Sequence, residues 1–504
     1  MTPAEHRTLA AALGAALGPG TRTIETHIST LLLAGDFAYK LRKPLRLPFL
    51  DFSTPAARRR DCEEELRLNR RTAPELYLDV RPVQGSLAAP RVGTPGDASG
   101  AIDWLLRMRR FDDDLLLARL AARGALGAAE VDALAREVAD FHAALPASPA
   151  AWGEPEDVLR WARANFAALG DTRGLRELHG WSEREFERIA PRLALRRAQG
   201  RVREGHGDLH LANIVMLDGR PVPFDAIEFN PALRHADTMA DAAFVFMDLW
   251  RHGLPSLAWR FASAYAERGG DHEGLALLPF FAVYRALVRA QVAALRNDEA
   301  ACARDIGVAR EIAAARRARP LLLLTVGLSG SGKSTVALEL LQALGALRLR
   351  SDVERKRLAG LAAEARPTPA QAGALYAAAM TRRTYACLGR LAGTLLEAGL
   401  NVVVDAAALR RHERDALRAL AEAHGAEFRL VECVAPEAVL RERIARRAAE
   451  GRDASDADQE VLGLQLRIVE IPAADEGALR LDTDADPATV ARRCAALAAR
   501  LAAQ

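Results

Sequence analysis

Residues 205 to 230, GHGDLHLANIVMLDGRPVPFDAIEFN, set Asp208, Asn213 and Asp225 around one tight turn. Asp218-Gly219 is a strong two-residue hairpin signal, because both residues tolerate the positive φ that such a turn demands. Closing it pairs Leu217 with Arg220 and Val215 with Val222, and brings Asn213 opposite Phe224. Pro221 and Pro223 then fall at non-hydrogen-bonded positions, where a missing N–H costs the ladder nothing. An amide oxygen on Asn213 and a carboxylate on Asp225, at the open end of the hairpin, suit Mg2+. That ion takes few protein ligands and keeps places for phosphate oxygens. Asp208, with four residues between it and Asn213, is spaced as an acceptor for the proton of an attacking hydroxyl beside a metal-holding amide. Glu228 is a further candidate for a metal or substrate contact. His210 is given no chemistry, and Asp237 with Asp241 braces the loop.

A second cluster lies downstream. GLSGSGKST matches G-x-x-x-x-G-K-[ST], follows the apolar run LLLLTV and opens the helical KSTVALELLQAL, the context a phosphate-binding loop requires. Gly327, Gly330 and Gly332 let backbone N–H groups curl around phosphates. Lys333 neutralises the β/γ charge, Ser334 reaches Mg2+, and Thr335 completes the nucleotide-binding set. NVVVD is an apolar strand ending in Asp405, an acid placed to hold metal or orient water.

The elements that must position these residues divide the chain. At 504 residues it is too long for one core, and length alone suggests about three domains. Half of it is hydrophobic and 27% charged, ordinary for a globular protein. A net charge of +3 supplies no field for nucleic acid or anionic membrane, and no aromatic platform or basic stripe accompanies the motifs. Only four lysines occur, Lys40, Lys43, Lys333 and Lys356, so each says more than any of the many arginines. The five cysteines are scattered without a C-x-x-C pair, which fits reduced thiols and no metal site. No uncharged run approaches the ~18 residues that span a bilayer. Thr2, Pro3 and Glu5 read as a helix start rather than a signal peptide, and the cytoplasm is the expected compartment.

Short strands around Gly35-Asp36, a helix capped at Thr54-Pro55 and strand-like pieces at 80–83 and 102–108 are followed by helical periodicity from Asp112 onward. Pro320 marks the best boundary, and apolar runs alternating with helices beyond it signal a parallel α/β sheet. The expected domains are residues 1–319 and 320–504.

HGDLHLANIVMLDGRPVPFDAIEFN resembles the catalytic segment of the aminoglycoside phosphotransferase-like kinases, a branch of the protein-kinase fold. The whole chain is similar to bacterial proteins that fuse such a domain to a P-loop kinase of the gluconate-kinase or zeta-toxin kind. The resemblance implies an α+β two-lobed first domain, with lobes meeting near residues 107–108, and an α/β P-loop second domain. It also implies a lysine on the ATP phosphates, for which Lys40 is the candidate, and a helix glutamate orienting it. Cys62, Leu66 and Asn69 mark that helix's inward face, and Glu65 beside them is the chosen residue. The strand WLLRMRR would meet adenine around Met108. In the second domain the resemblance assigns Asp352 as general base, with helix capping an equally good reading. VLRERIARRAAEGRDASDAD resembles an arginine-bearing lid, with Arg443, Arg447 and Arg452 as candidates for transition-state charge and Arg447 the chosen one. Two departures stand out: no glycine-rich loop precedes Lys40, leaving phosphate cover to the hairpin near residues 29–36, and no Phe-Gly follows Asp225.

These readings converge on a bifunctional ATP-dependent phosphotransferase with two Mg2+-ATP sites acting on small hydroxylated molecules. Two alternatives use the same residues: a P-loop half that alone is active beside a pseudokinase, and a nucleotide-sensing switch.

Overall fold

The computed structural model describes residues 1–47, 50–170, 174–450 and 458–502. The chain divides into two compact units: Met1–Ala133, Phe141–Val158 and Arg192–Val245 form the first, and Leu134–Asp140, Leu159–Pro191 and Phe246–Gln504 the second.

The first unit carries a six-stranded antiparallel sheet in the spatial order Arg22–Glu25, Ser29–Ala34, Phe37–Arg42, Ala101–Arg109, Tyr77–Gly85, Pro90–Val92. Side chains alternate across a strand, and here the alternation sorts them between two cores. Leu32, Leu41, Val83 and Leu105 pack with Leu9, Ala10 and Leu13 of the helix Pro3–Leu17. Leu106 and Tyr77 face the other way and join Cys62 of the helix Pro55–Asn69. Lys40 and Arg42 flank Leu41, so both lie on the Cys62 side.

Both helices start where their caps dictate. Thr2 and Glu5 close a capping box around Pro3, and the Thr54 hydroxyl accepts from Ala57 N at 3.1 Å. A fully buried ion pair, Arg58 Nε to Asp103 Oδ1 at 2.7 Å, ties the second helix to the strand Ala101–Arg109. The hairpin Ile214–Leu217 and Arg220–Pro223 has the register that its prolines require, Val215 opposite Val222 and Leu217 opposite Arg220. Its turn has φ +49° at Asp218 and +76° at Gly219, as a type I′ turn demands.

The second unit is built on a five-stranded parallel sheet in the order Ala346–Arg350, Asn401–Asp405, Leu321–Val326, Glu427–Val434, Leu479–Asp482. Leu321–Val326 is buried throughout, which explains its unbroken apolar sequence. The expected boundary at residue 320 does not coincide with the division between the units. Helices expected in the first domain belong to the second unit, because Pro255–Gly269 lies along the edge strand Ala346–Arg350: Arg348 N donates to Ser263 Oγ at 3.2 Å. Among the described residues one stretch, Glu273–Leu295, is long and apolar enough to cross a membrane, and 72% of its apolar window is buried inside the protein.

The first helix also carries a titratable lock. His6 is 3% exposed, with Nε2 3.0 Å from Thr30 Oγ1. Burial holds its imidazole down to about 4, against the opposing pull of Glu25. The unfolded chain therefore takes up the proton first, and the stability is complete above the ordinary value of 6.5 and lost as pH falls towards 4. Urea unfolding across that range should show a loss of about 2 to 3 kcal/mol that His6→Gln removes.

Candidate functional site

In the first unit the strand alternation delivers two cations to one carboxylate. Lys40 Nζ lies 2.7 Å from Glu65 Oε1 and 2.8 Å from Asp225 Oδ1. Arg42 meets Glu65 Oε2 and Asp61 Oδ2, both at 2.5 Å, and also bonds Glu228. Glu65 and Arg42 are wholly inaccessible to solvent. Asp61, Glu65 and Glu228 bring carboxylate oxygens within 4.8 Å of one another. The guanidinium of Arg42 already serves that acidic cluster as its cation. Burial raises the Glu228 carboxyl to about 8, although Arg42 pulls it down. Burial also works against the charge on Lys40, yet Asp225 and Glu65 outweigh it and hold the ammonium above its ordinary value. The reciprocal holds at Asp225: burial pushes its carboxyl up, and Lys40 more than reverses this.

The turn bearing Asp225 is pinned from several sides. Asp225 N donates to Tyr77 Oη at 3.1 Å, Ala226 N to Asn69 Oδ1 at 2.8 Å, and Phe224 N to Asn213 O at 2.9 Å. Asp225 itself holds a φ of +61°, an unusual conformation for a non-glycine residue and one that clusters at functional sites. Asn213 Nδ2 donates to Asp208 at both the backbone oxygen, 3.0 Å, and Oδ2, 3.1 Å. The structure thus forms two bonded sets, Lys40 with Glu65 and Asp225, and Asp208 with Asn213, joined through the backbone bond from Phe224 N to Asn213 O. Behind them, Asp241 accepts from His206 N at 2.7 Å and Gly207 N at 2.9 Å, the bracing role expected of it. Asp237 instead pairs with Arg196. Met108 is partly buried against the Cys62 and Leu106 core, on the strand that pairs with Lys40's strand. The turn at Gly35-Asp36 lies at the Met108 end of that strand, and the turn at 26–28 at the Arg42 end.

In the second unit, the loop 327–332 joins the central strand to the helix Lys333–Leu344. Gly330 and Gly332 have φ of +81° and +77°, and a Cβ on Gly330 would stand 2.7 Å from Leu440 O. Lys333 Nζ donates to Leu328 O at 2.7 Å, and burial lowers its pKa despite the nearby Asp405. A cavity of about 840 Å³ is lined by Lys333, Ser334, Thr335, Asp352, Asp405 and Arg447. Asp352 lies in the first turn of the helix Ser351–Leu358, two residues past the end of the strand Ala346–Arg350, and Arg350 rather than Asp352 holds the cap position. Arg443 is engaged in bracing: it donates to Gly330 O at 3.3 Å and to Thr483 O at 2.6 Å. Arg452 lies outside the described residues.

Both sites suit Mg2+ by their donors. With Nδ2 of Asn213 spent on Asp208, its amide oxygen and the Asp225 carboxylate would offer a cation oxygen ligands only, as a hard ion prefers. In the second unit Asp405 Oδ2 is buried with no hydrogen-bond partner, and the Ser334 hydroxyl lines the same cavity.

Several contributors carry no signal that stands out in the sequence. Arg42 was legible, two residues after Lys40 on the same strand face, but unmarked among many arginines. Tyr77, Asn69 and Thr483 carry no motif and reach the sites only through tertiary structure.

An AAA domain model matches residues 322–472. The Mycobacterium tuberculosis protein named "Uncharacterized protein Rv2004c" is 31% identical over 449 residues, 86% of this chain and 87% of its own. The chain belongs to that protein's family. The first unit is α+β, and the second is an α/β unit with a P-loop between its central strand and the following helix. Among solved structures, a gluconokinase from Sinorhizobium meliloti is similar at 26% identity over 37% of this chain and 95% of its own, with a TM-score of 0.28. A GDP and kanamycin complex of APH(2")-IIia covers 61% of this chain and 98% of its own at 12% identity and a TM-score of 0.39.

Gly330→Ala should strain the loop by about 1 to 3 kcal/mol, weakening ADP binding to the second unit by about five- to a hundredfold in calorimetry. Gly307→Ala, where an added Cβ meets nothing within 4 Å, is the control and should leave binding unchanged.

Proposed function

We propose that this chain is a bifunctional ATP-dependent phosphotransferase, each unit moving the γ-phosphoryl group of ATP to a hydroxyl of a small molecule. The observation that carries the reading is Lys40, shared at hydrogen-bond distance between Glu65 and Asp225 beside the Asp208–Asn213 pair. A lysine so held is positioned to transfer part of its charge to a triphosphate when one arrives. Mg2+ held at each site would supply positive charge against the charge that develops on the transferring phosphates.

The residues of the first site divide the remaining work. Asp208 accepts the proton of the acceptor hydroxyl as its oxygen forms a bond to the γ-phosphorus. The bond from that phosphorus to the β,γ-bridging oxygen breaks, and ADP leaves with the electron pair. Asn213 fixes the Asp208 carboxylate by its amide N–H and would hold the metal by its oxygen, with Asp225 as second ligand. Glu65, itself fixed by Arg42, keeps Lys40 extended. In the second site Lys333, Ser334, Thr335 and the loop glycines would hold the phosphates, Asp405 the metal, and Asp352 the acceptor's proton. Arg447, on the cavity wall, is suited to the charge of the transferring group.

Small hydroxylated acceptors suit a cavity of this size in the second unit, and nothing in the charge balance calls for nucleic acid or membrane. Purified protein should consume Mg2+-ATP faster with members of a panel of sugars, nucleosides and aminocyclitols. Asp208→Asn and Lys333→Ala should each reduce a different part of that activity by about a hundredfold or more. If one variant abolishes all turnover and the other none, a single active site replaces the bifunctional reading. A flat response across the panel would instead favour a nucleotide-sensing switch.

A further inference from the structure

The second unit contains an ion-pair chain that begins outside the P-loop motifs and ends on Asp405. Glu267, on the helix Pro255–Gly269, accepts from Arg350 Nη1 at 2.9 Å and from Arg348 Nη2 at 3.0 Å. Arg348 and Arg350 alternate with Leu349 on the edge strand, so both face the same way. The parallel register sets Arg350 directly beside Asp405 on the neighbouring strand. Arg350 Nε nevertheless stops 3.7 Å from Asp405 Oδ2, and that oxygen, on a side chain 5% exposed, has no hydrogen-bond partner. A charge-assisted hydrogen bond between such groups is shorter, about 2.7 to 2.9 Å. The Glu267 carboxylate holds the far end of Arg350 towards the helix.

We propose that Glu267 is a positioning residue that holds Arg350 off Asp405, and so keeps the Asp405 carboxylate open to the divalent cation of a bound nucleotide. The inference rests on reading the second unit as a Mg2+-nucleotide site. The restraint is charged near neutral pH: burial pushes the Glu267 carboxyl up, but Arg348 and Arg350 outweigh it and hold it below its ordinary value. The helix is itself fixed to the sheet. Ser263 Oγ accepts from Arg348 N, and a Cβ on Gly345 would stand 2.9 Å from Trp259 Nε1. Without the Glu267 charge, Arg350 turns to Asp405, neutralises it and competes with the metal.

The test uses the full chain and a fluorescent ADP analogue, with Mg2+ titrated at fixed nucleotide. The second unit's signal is the part that Lys333→Ala removes. Glu267→Gln should raise the Mg2+ needed for half-maximal binding by about tenfold. Arg350→Met in the Glu267→Gln background should restore it to within about twofold of wild type. Arg350→Met alone should leave the Mg2+ requirement equal to or below wild type, which keeps the test available should Glu267→Gln fold poorly. An unchanged requirement in Glu267→Gln, no rescue in the double variant, or a raised requirement in Arg350→Met would each overturn the proposal. If Lys333→Ala removes no Mg2+-dependent binding, the functional reading fails first and takes this inference with it.

Discussion

A charge taken out of water must meet its opposite, and Glu65 is where the first unit meets that demand. Its two oxygens are divided between Lys40 and Arg42, one facing the candidate phosphate site and the other facing inward. Removing one member would strand a buried charge, a loss of about 3 to 5 kcal/mol in comparable cases. The arrangement is therefore self-enforcing. Helix, strand and the loop from Asp225 to Glu228 each supply charges that only the others can neutralise, so the site assembles together or not at all.

The second unit solves the same problem with backbone. The loop 327–332 curls where side chains cannot follow, and its positive φ values leave N–H groups to face an anion. Arg443 and Thr483 hold that loop from behind, linking it to the segment after the last strand. On the proposed reading, one unit would grip phosphate with paired side chains and the other with peptide groups, each beside an acid placed to accept a proton.

Much of this was legible in the residues. The Asp218-Gly219 turn and its two prolines determined the hairpin register, because a proline tolerates only one kind of position there. Glu65 could be chosen from helical periodicity, since it flanks the inward face while Glu64 points away and Glu63 sits at the far border. Arg42 obeys the same alternation as Lys40 and was overlooked because strand-borne arginines are common in this chain. Tyr77 and Thr483 were beyond reach, since each meets its site through chain reversal that no local pattern encodes. The boundary near Pro320 marked a true change in sequence character, from helical to alternating. Pro255–Gly269 nonetheless packs with the parallel sheet beyond that boundary, because a helix's apolar face does not name the surface it will cover.

That helix has a practical corollary. The strand Ala346–Arg350 is the outermost of its sheet, and Ser263 and Glu267 occupy the flank where further pairing could begin. A fragment started at Pro320 would present a naked β-edge, the usual template for intermolecular strand addition. Soluble expression of the P-loop half should therefore begin upstream of Pro255, with its cover retained.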